Sequence, residues 1–195
     1  MELLTKTICN ALNPFHPISE ETGLALSQFT EIKKYNEGEI IEKENNIVLS
    51  EYIVLEGIVR AYIINSKGDD VTINFYLKGK AVTPGLMRSL NNIAFYNLQI
   101  MSKKNTLLVF NKSGMESGMQ NYDDLGQFGQ RVIMQDAVQR IERELVLLKA
   151  TGKEKLNWLR KRFPNLENEI QHYHIASFLG LTSTSLSRIR ATDLK

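Results

Sequence analysis

Apolar and polar residues change period twice along the chain. Residues 23–29 form a short helical stretch. From about residue 32 to residue 110 the pattern becomes that of β-strands. The clearest strand is 70–77, where Val71, Ile73, Phe75 and Leu77 alternate with Asp70, Thr72, Asn74 and Tyr76. That alternation predicts one buried and one wet face. The run 52–65 is rich in Ile, Val and Tyr and is interrupted by Gly57, a predicted bulge or turn. Ser66-Lys67-Gly68-Asp69 follows as a hairpin turn in which Gly can take positive φ. Further strands fit 38–42, 97–101 and 105–110. Many short antiparallel strands at this spacing predict a barrel, roll or sandwich.

After Lys112 the period becomes helical, and no proline occurs from residue 122 to about 150. Met134, Val138, Ile141, Leu145 and Leu148 are spaced 4, 3, 4 and 3, a heptad seam flanked by Arg140, Glu142, Arg143 and Glu144. A helix packed on its own domain usually carries a wider apolar stripe. Val132, Ile133 and Ala137 supply that width only in the N-terminal part. The N-terminal part is therefore predicted to pack on the β region, and the rest to pair with a second chain. Thr151-Gly152 ends the helix. Residues 153–163 form another amphipathic helix with Leu156, Trp158 and Leu159, closed by Pro164.

Residues 172–191 fit a helix-turn-helix. Such a twenty-residue window needs a small residue at its fifth place, glycine at its ninth, and apolar residues where the helices cross. Ala176, Gly180, Ile175, Leu179, Leu181, Leu186 and Ile189 meet these requirements in turn. Thr182 or Ser183 can cap the second helix. If that helix enters a major groove of double-stranded DNA, Thr182, Ser183, Thr184, Ser187 and Arg188 face the DNA. Arg188 suits a bidentate contact to guanine. Arg190, two residues on, points away from Arg188 and suits a phosphate or packing contact.

Charge sharpens this picture. The whole chain carries only +2. Residues 1–150 hold 16 Lys+Arg against 18 Asp+Glu, a net of −2, whereas residues 151–195 hold 8 against 4, a net of +4. The basic end coincides with the helix-turn-helix and suits a polyanion. A lone Cys9 excludes an internal disulfide and cysteine-based metal clusters. No apolar run approaches the ~18 residues of a membrane span, and the start of the chain lacks the apolar core of a signal peptide. The cytoplasm is the simplest location. His172 and His174 fall on opposite sides of a helix, with no thiolate or acidic cluster beside them. No nucleophile–base set, paired-carboxylate motif or phosphate-cradling loop occurs. No catalytic residue, metal site or cofactor is assigned.

The order of parts resembles the CRP/FNR family of bacterial transcription regulators. The resemblance is carried by Tyr52-Ile53-Val54-Leu55-Glu56-Gly57-Ile58-Val59-Arg60 and Phe163-Pro164. It is also carried by 174–182 (HIASFLGLT) and by Leu186-Ser187-Arg188-Ile189-Arg190, the last run resembling compact Bacteroidetes-type members. It implies an α+β chain: an antiparallel, cyclic-nucleotide-binding-like β-roll sensor (1–121), a dimerisation helix (122–150) and a helix-turn-helix domain (151–195). It further implies a homodimer acting on DNA, with RNA polymerase as protein partner. Cyclic-nucleotide binders of this type carry a Gly-Glu pair and a later arginine for the ribose and phosphate. The matching stretch 79–89 has no Glu, and the later arginine position falls near Phe95-Tyr96-Asn97. A conventionally bound cyclic nucleotide is therefore not expected. Thr83, Arg88, Ser89 and Tyr96 are the candidate pocket for an unknown small-molecule effector, with Arg88 as substitute cation. The Pro-Glu that many relatives carry after the turn threonine is replaced by Ser183-Thr184, so the usual operator is not expected either. Five residues follow Arg190, too few for a C-terminal β-wing.

Two other classes remain open on the residues alone. One is a sensor whose helix-turn-helix docks a protein. The other is a cupin-like metalloenzyme, although no histidine lies between His16 and His172.

Overall fold

Two helices precede the sheets. α1 (Glu2–Leu12) buries Thr5, Ile8 and Leu12, and α2 (Glu20–Ser27) is capped by the Ser19 hydroxyl, which accepts the Thr22 amide at 3.1 Å. α1 is absent from the elements predicted above, because its buried stripe is only three positions wide and one of them is threonine. The computed structural model describes residues 1–193, so the last two residues of the expected 151–195 unit lie outside the described residues.

The strands are β1 (Thr30–Lys33), β2 (Ile40–Glu42), β3 (Ser50–Glu56), β4 (Ile58–Ile64) and β5 (Asp70–Leu77). A short helix α3 (Gly85–Arg88) leads into β6 (Ser89–Leu90), β7 (Ile93–Ala94), β8 (Asn97–Ile100) and β9 (Thr106–Asn111). They form an antiparallel roll of two sheets, ordered β1-β9-β3 and β2-β8-β4-β5, with a small β6-β7 hairpin. Gly57 turns β3 into β4 at φ +91°, and a Cβ there would sit 2.6 Å from the Lys104 carbonyl oxygen, so only glycine fits.

Val54, Val59, Ala61, Leu98 and Leu107 fill the roll interior. The alternate residues Ile53, Leu108 and Phe110 face outward against α1 and α2. Both faces of β3 and β9 are thus buried, which is why these strands read as nearly continuous apolar runs.

The one-face reading of β5 needs correction. Thr72 and Tyr76, assigned to the wet face, are buried, while Val71, Ile73 and Leu77 are only half-buried. The pairing slips where consecutive Ala61 and Tyr62 oppose Asn74 and Thr72, leaving Ile73 as an extra residue. Moreover, the second face of β5 is covered by C-terminal helices, so Phe75 joins their core and Tyr76 the roll interior.

Helices complete the chain: α4 (Lys112–Asn121), α5 (Asp123–Lys149), α6 (Gly152–Arg162), α7 (Leu166–Glu169), α8 (His172–Phe178) and α9 (Ser183–Asp193). Leu125, Phe128 and Val132 of α5 pack on the roll side. Further along α5, Met134, Val138, Ile141, Leu145 and Leu148 are exposed by 69, 50, 57, 47 and 78%. Thr151 and Glu154 close a capping box that separates α5 from α6. Among the described residues no helix is long and apolar enough to cross a membrane.

Candidate nucleic-acid interface

The helix-turn-helix is built from α8, the turn Leu179 to Thr182, and α9. Ile175, Ala176, Leu179 and Leu186 are at most 1% exposed, and Leu181 and Ile189 pack against the same core. Gly180 takes φ +63°, and the Leu181 amide returns to the Ala176 carbonyl at 2.9 Å. This closes the turn with a left-handed residue, which glycine adopts without Cβ strain. Thr182 is the cap: its Oγ1 accepts the Ser185 amide at 3.1 Å.

Thr182, Ser183, Thr184, Ser187 and Arg188 are all exposed. Places 183, 184, 187 and 188 share one face of α9 by helical spacing. Among the described residues Arg188 has no hydrogen bond or ion pair, so its five donors are free. Arg190 is placed differently from the other predicted DNA-facing residues. It turns back, with Nε 3.0 Å from a Glu167 carboxylate oxygen and Nη1 2.9 Å from His172 Nδ1. It therefore braces α9 against α7 and α8, and meeting a phosphate would require giving up these partners.

This unit is docked on the roll through β4 and β5. Phe178 packs on Phe75 at 5.3 Å and stacks on Trp158 at 5.9 Å. The Thr72 amide donates to Ser177 Oγ at 2.9 Å. Arg60, buried, grips Asp70 through two bonds of 3.1 and 3.0 Å and touches His174 Nδ1. Burial, and next the Arg60 charge, push the His174 pKa down to about 4, with Asp70 opposing. Docking thus favours neutral His174. Its contribution is complete above the ordinary value near 6.5 and fades as pH falls from there toward about 4. We expect the wild-type melting point to drop between pH 7 and pH 5 by more than that of His174→Gln. Equal drops would exclude His174 as the group responsible.

No family model matches the sequence, and no curated protein sequence matches it. Solved structures do match. FixK2 from Bradyrhizobium japonicum has a TM-score of 0.72 at 18% identity, covering 84% of this chain and 83% of that one. A candidate transcriptional regulator of the CRP/FNR family from Eubacterium rectale has a TM-score of 0.69 at 16% identity, covering 91% and 84%. The c-di-GMP-responsive global regulator CLP of Xanthomonas campestris has a TM-score of 0.69 at 9% identity, covering 90% and 92%. The chain has the CRP/FNR fold. At these identities the likeness is one of architecture: α+β, with an antiparallel roll, a long helix and a C-terminal helix-turn-helix.

Within this CRP/FNR fold, the four residues assigned to an effector pocket do not form an open site. Arg88 is fully buried and spends all five donors on protein. Its Nε and Nη2 bind the two Glu42 oxygens at 2.8 and 3.1 Å, Nη1 binds Glu51 and the Thr83 carbonyl at 2.7 Å each, and Nη2 also meets the Ser50 carbonyl. Burial opposes the charge, but Glu51 and Glu42 outweigh it and raise the guanidinium's pKa above its ordinary value. The idea of Arg88 as a substitute cation for a bound phosphate is corrected accordingly. Ser89 Oγ donates to the Gly85 carbonyl at 2.6 Å. Thr83 and Tyr96, both buried, belong to a second network. Thr83 Oγ1 lies 2.7 Å from Tyr76 Oη and 2.5 Å from Asp136 of α5, and Arg140 reaches both Thr83 and Tyr96. Sequence reasoning missed Asp136, although its spacing of four from Arg140 is a recognisable helical ion pair, here 2.6 Å long. Between β3 and the α4–α5 helices a cavity of about 60 Å³ remains, lined by Ile53, Phe110, Met115 and Phe128. That is well below the ~300 Å³ of a small-molecule site. Among the described residues no three or more His, Cys, Asp or Glu side chains are placed to hold a metal.

Proposed function

We propose that this chain is a homodimeric, DNA-binding transcription regulator of CRP/FNR type. The observation that carries this reading is Arg188, free among the described residues and presented with the exposed hydroxyl residues Ser183, Thr184 and Ser187 on the open face of α9. A guanidinium with no partner among the described residues, on the outer face of a crossed helix pair, is what a bidentate guanine contact needs. The exposed row from Met134 to Leu148 supports pairing of two α5 helices, since five large apolar side chains along one helix stripe call for cover. A two-fold dimer would then offer two recognition helices to successive major grooves ~34–36 Å apart. The place of action is the cytoplasm, and RNA polymerase is the protein partner the resemblance adds. Any effector is a small molecule held otherwise than a cyclic nucleotide in the usual mode, given Arg88's full commitment to Glu42 and Glu51.

The test begins with selection of bound duplexes from a random library. Arg188→Ala should then weaken the selected site by about 1–3 kcal/mol, roughly 5–150-fold, with little change at unrelated DNA. Unchanged specific affinity would overturn the role of Arg188. Binding that is weak and indifferent to salt would instead favour a protein partner for α9, because phosphate contacts make DNA affinity fall with salt.

A further inference from the structure

A cleft of about 420 Å³ opens where the three parts of the chain meet. Asn74 of β5, Arg140 and Arg143 of α5, Arg162 at the end of α6 and Phe178 at the end of α8 line it. Three guanidinium groups converge on this space, yet their pairing is unequal. Arg140 is matched by Asp136 at 2.6 Å. Arg162 donates to the Gln139 amide oxygen at 2.7 Å and has Glu142 at 3.9 Å. Arg143 has no carboxylate partner among the described residues; its Nη2 donates only to the carbonyls of Phe178 at 2.8 Å and Thr72 at 3.5 Å. The Nε atoms of both Arg143 and Arg162 are buried with no hydrogen-bond partner among the described residues. Burial, and next the neighbouring Arg140, push the Arg143 pKa down to about 10, and burial lowers that of Arg162. A sequestered cation lacking its counter-charge is costly for a fold to keep.

We propose that this cleft is a binding site for a phosphate ester with an aromatic or apolar body. Guanidinium forks match phosphate oxygens bidentately, and Arg143 and Arg162 have the unspent donors. Ile73 and Leu147, both only half-buried, offer an apolar wall for the ligand's body. The volume suits a molecule of small-ligand size. Glu144, on the same lining, can accept from a hydroxyl of the body and disfavours a bare polyanion. The site draws on the roll, the long helix and the helix-turn-helix at once, so an occupant would tie their relative positions together.

The chain's single tryptophan provides the readout. Trp158 stacks on Phe178, and the Arg162 guanidinium lies 5.6 Å from its ring centre. Phenyl phosphate and inorganic phosphate are titrated into the full chain, with sodium chloride at matched ionic strength as reference. Phenyl phosphate should change Trp158 emission saturably and bind more tightly than inorganic phosphate. Arg143→Gln should weaken it at least about tenfold, the usual loss with a charged hydrogen bond. Arg188→Ala should leave it unchanged, excluding capture at the recognition helix. Arg143→Met should melt no lower than wild type without ligand and should fail to bind. If Arg143 variants do not fold, Arg162→Gln carries the same expectation. A response equal to that of chloride, or full binding by a folded Arg143 or Arg162 variant, would overturn the site. Any effect of occupancy on DNA affinity rests on the function proposed above, whereas this titration does not, so the two fail separately.

Discussion

Leu145→Asp should convert the protein from dimer to monomer and take most DNA affinity with it. Leu145 sits within the exposed row, between Ile141 and Leu148. In a two-fold pairing each chain contributes its own copy, so one substitution places two carboxylates in the same apolar seam. Burying a polar group without partners costs about 2 kcal/mol or more, so the doubled change amounts to about 4 kcal/mol, roughly a thousandfold in the dimer constant. The fold itself should survive, because Leu145 is exposed by 47% in the single chain and is absent from its core. Sedimentation of the variant would show a monomer with an unchanged melting profile of the roll. DNA binding should fall by about 100–10,000-fold, the gain that linking two readers normally provides. The comparison with Arg188→Ala separates the two roles: that variant keeps the dimer and loses specificity, while Leu145→Asp keeps Arg188 and loses the linkage. A Leu145→Asp protein that still sediments as a dimer would place the interface elsewhere.

The parts of the molecule legible in the sequence are those fixed by neighbours in the chain. Ala176, Gly180 and Leu186 lie within eleven residues, and their spacing alone sets a tight turn between crossed helices. Gly57 and Gly68 mark turns because positive φ is a local demand, met here at +91° and +84°. The exposed apolar row from Met134 to Leu148 was legible for the same reason, as a heptad spacing on one helix. Where distant segments decide, the pattern misleads. β5 alternates like a half-buried strand, but α8 covers its second face and the slip at Ile73 breaks its register. His174 looks like a stray histidine until Arg60 and Asp70 are brought to it from more than a hundred residues away. Arg190 shares the basic C-terminal run with Arg188, yet Glu167 and His172 claim it. Local charge counts cannot separate a spent guanidinium from a free one.

Arg88 shows the same limit most sharply, and it carries the second large effect. A search for its counter-charge in 78–115 finds no glutamate, because the partners Glu42 and Glu51 lie on the earlier strands β2 and β3. Arg88→Ala would leave the Glu42 carboxylate, 4% exposed, without its bidentate partner, together with two backbone carbonyls. Breaking a buried pair from one side costs about 3–5 kcal/mol, because the surviving charge stays desolvated. For a chain of this length that corresponds to a melting point lower by roughly 6–20 °C. Adding Glu42→Gln to Arg88→Ala should recover part of the loss, since a neutral amide is cheaper to bury than a lone carboxylate. Were Arg88 instead an open anion receptor, its removal would relieve repulsion, leaving the melting point unchanged or higher, and the second substitution would add nothing. Thermal denaturation of the two variants distinguishes these outcomes. The same comparison bears on the cleft at Arg143: fully buried Arg88 already has its counter-charges within the chain, whereas half-buried Arg143 has none among the described residues.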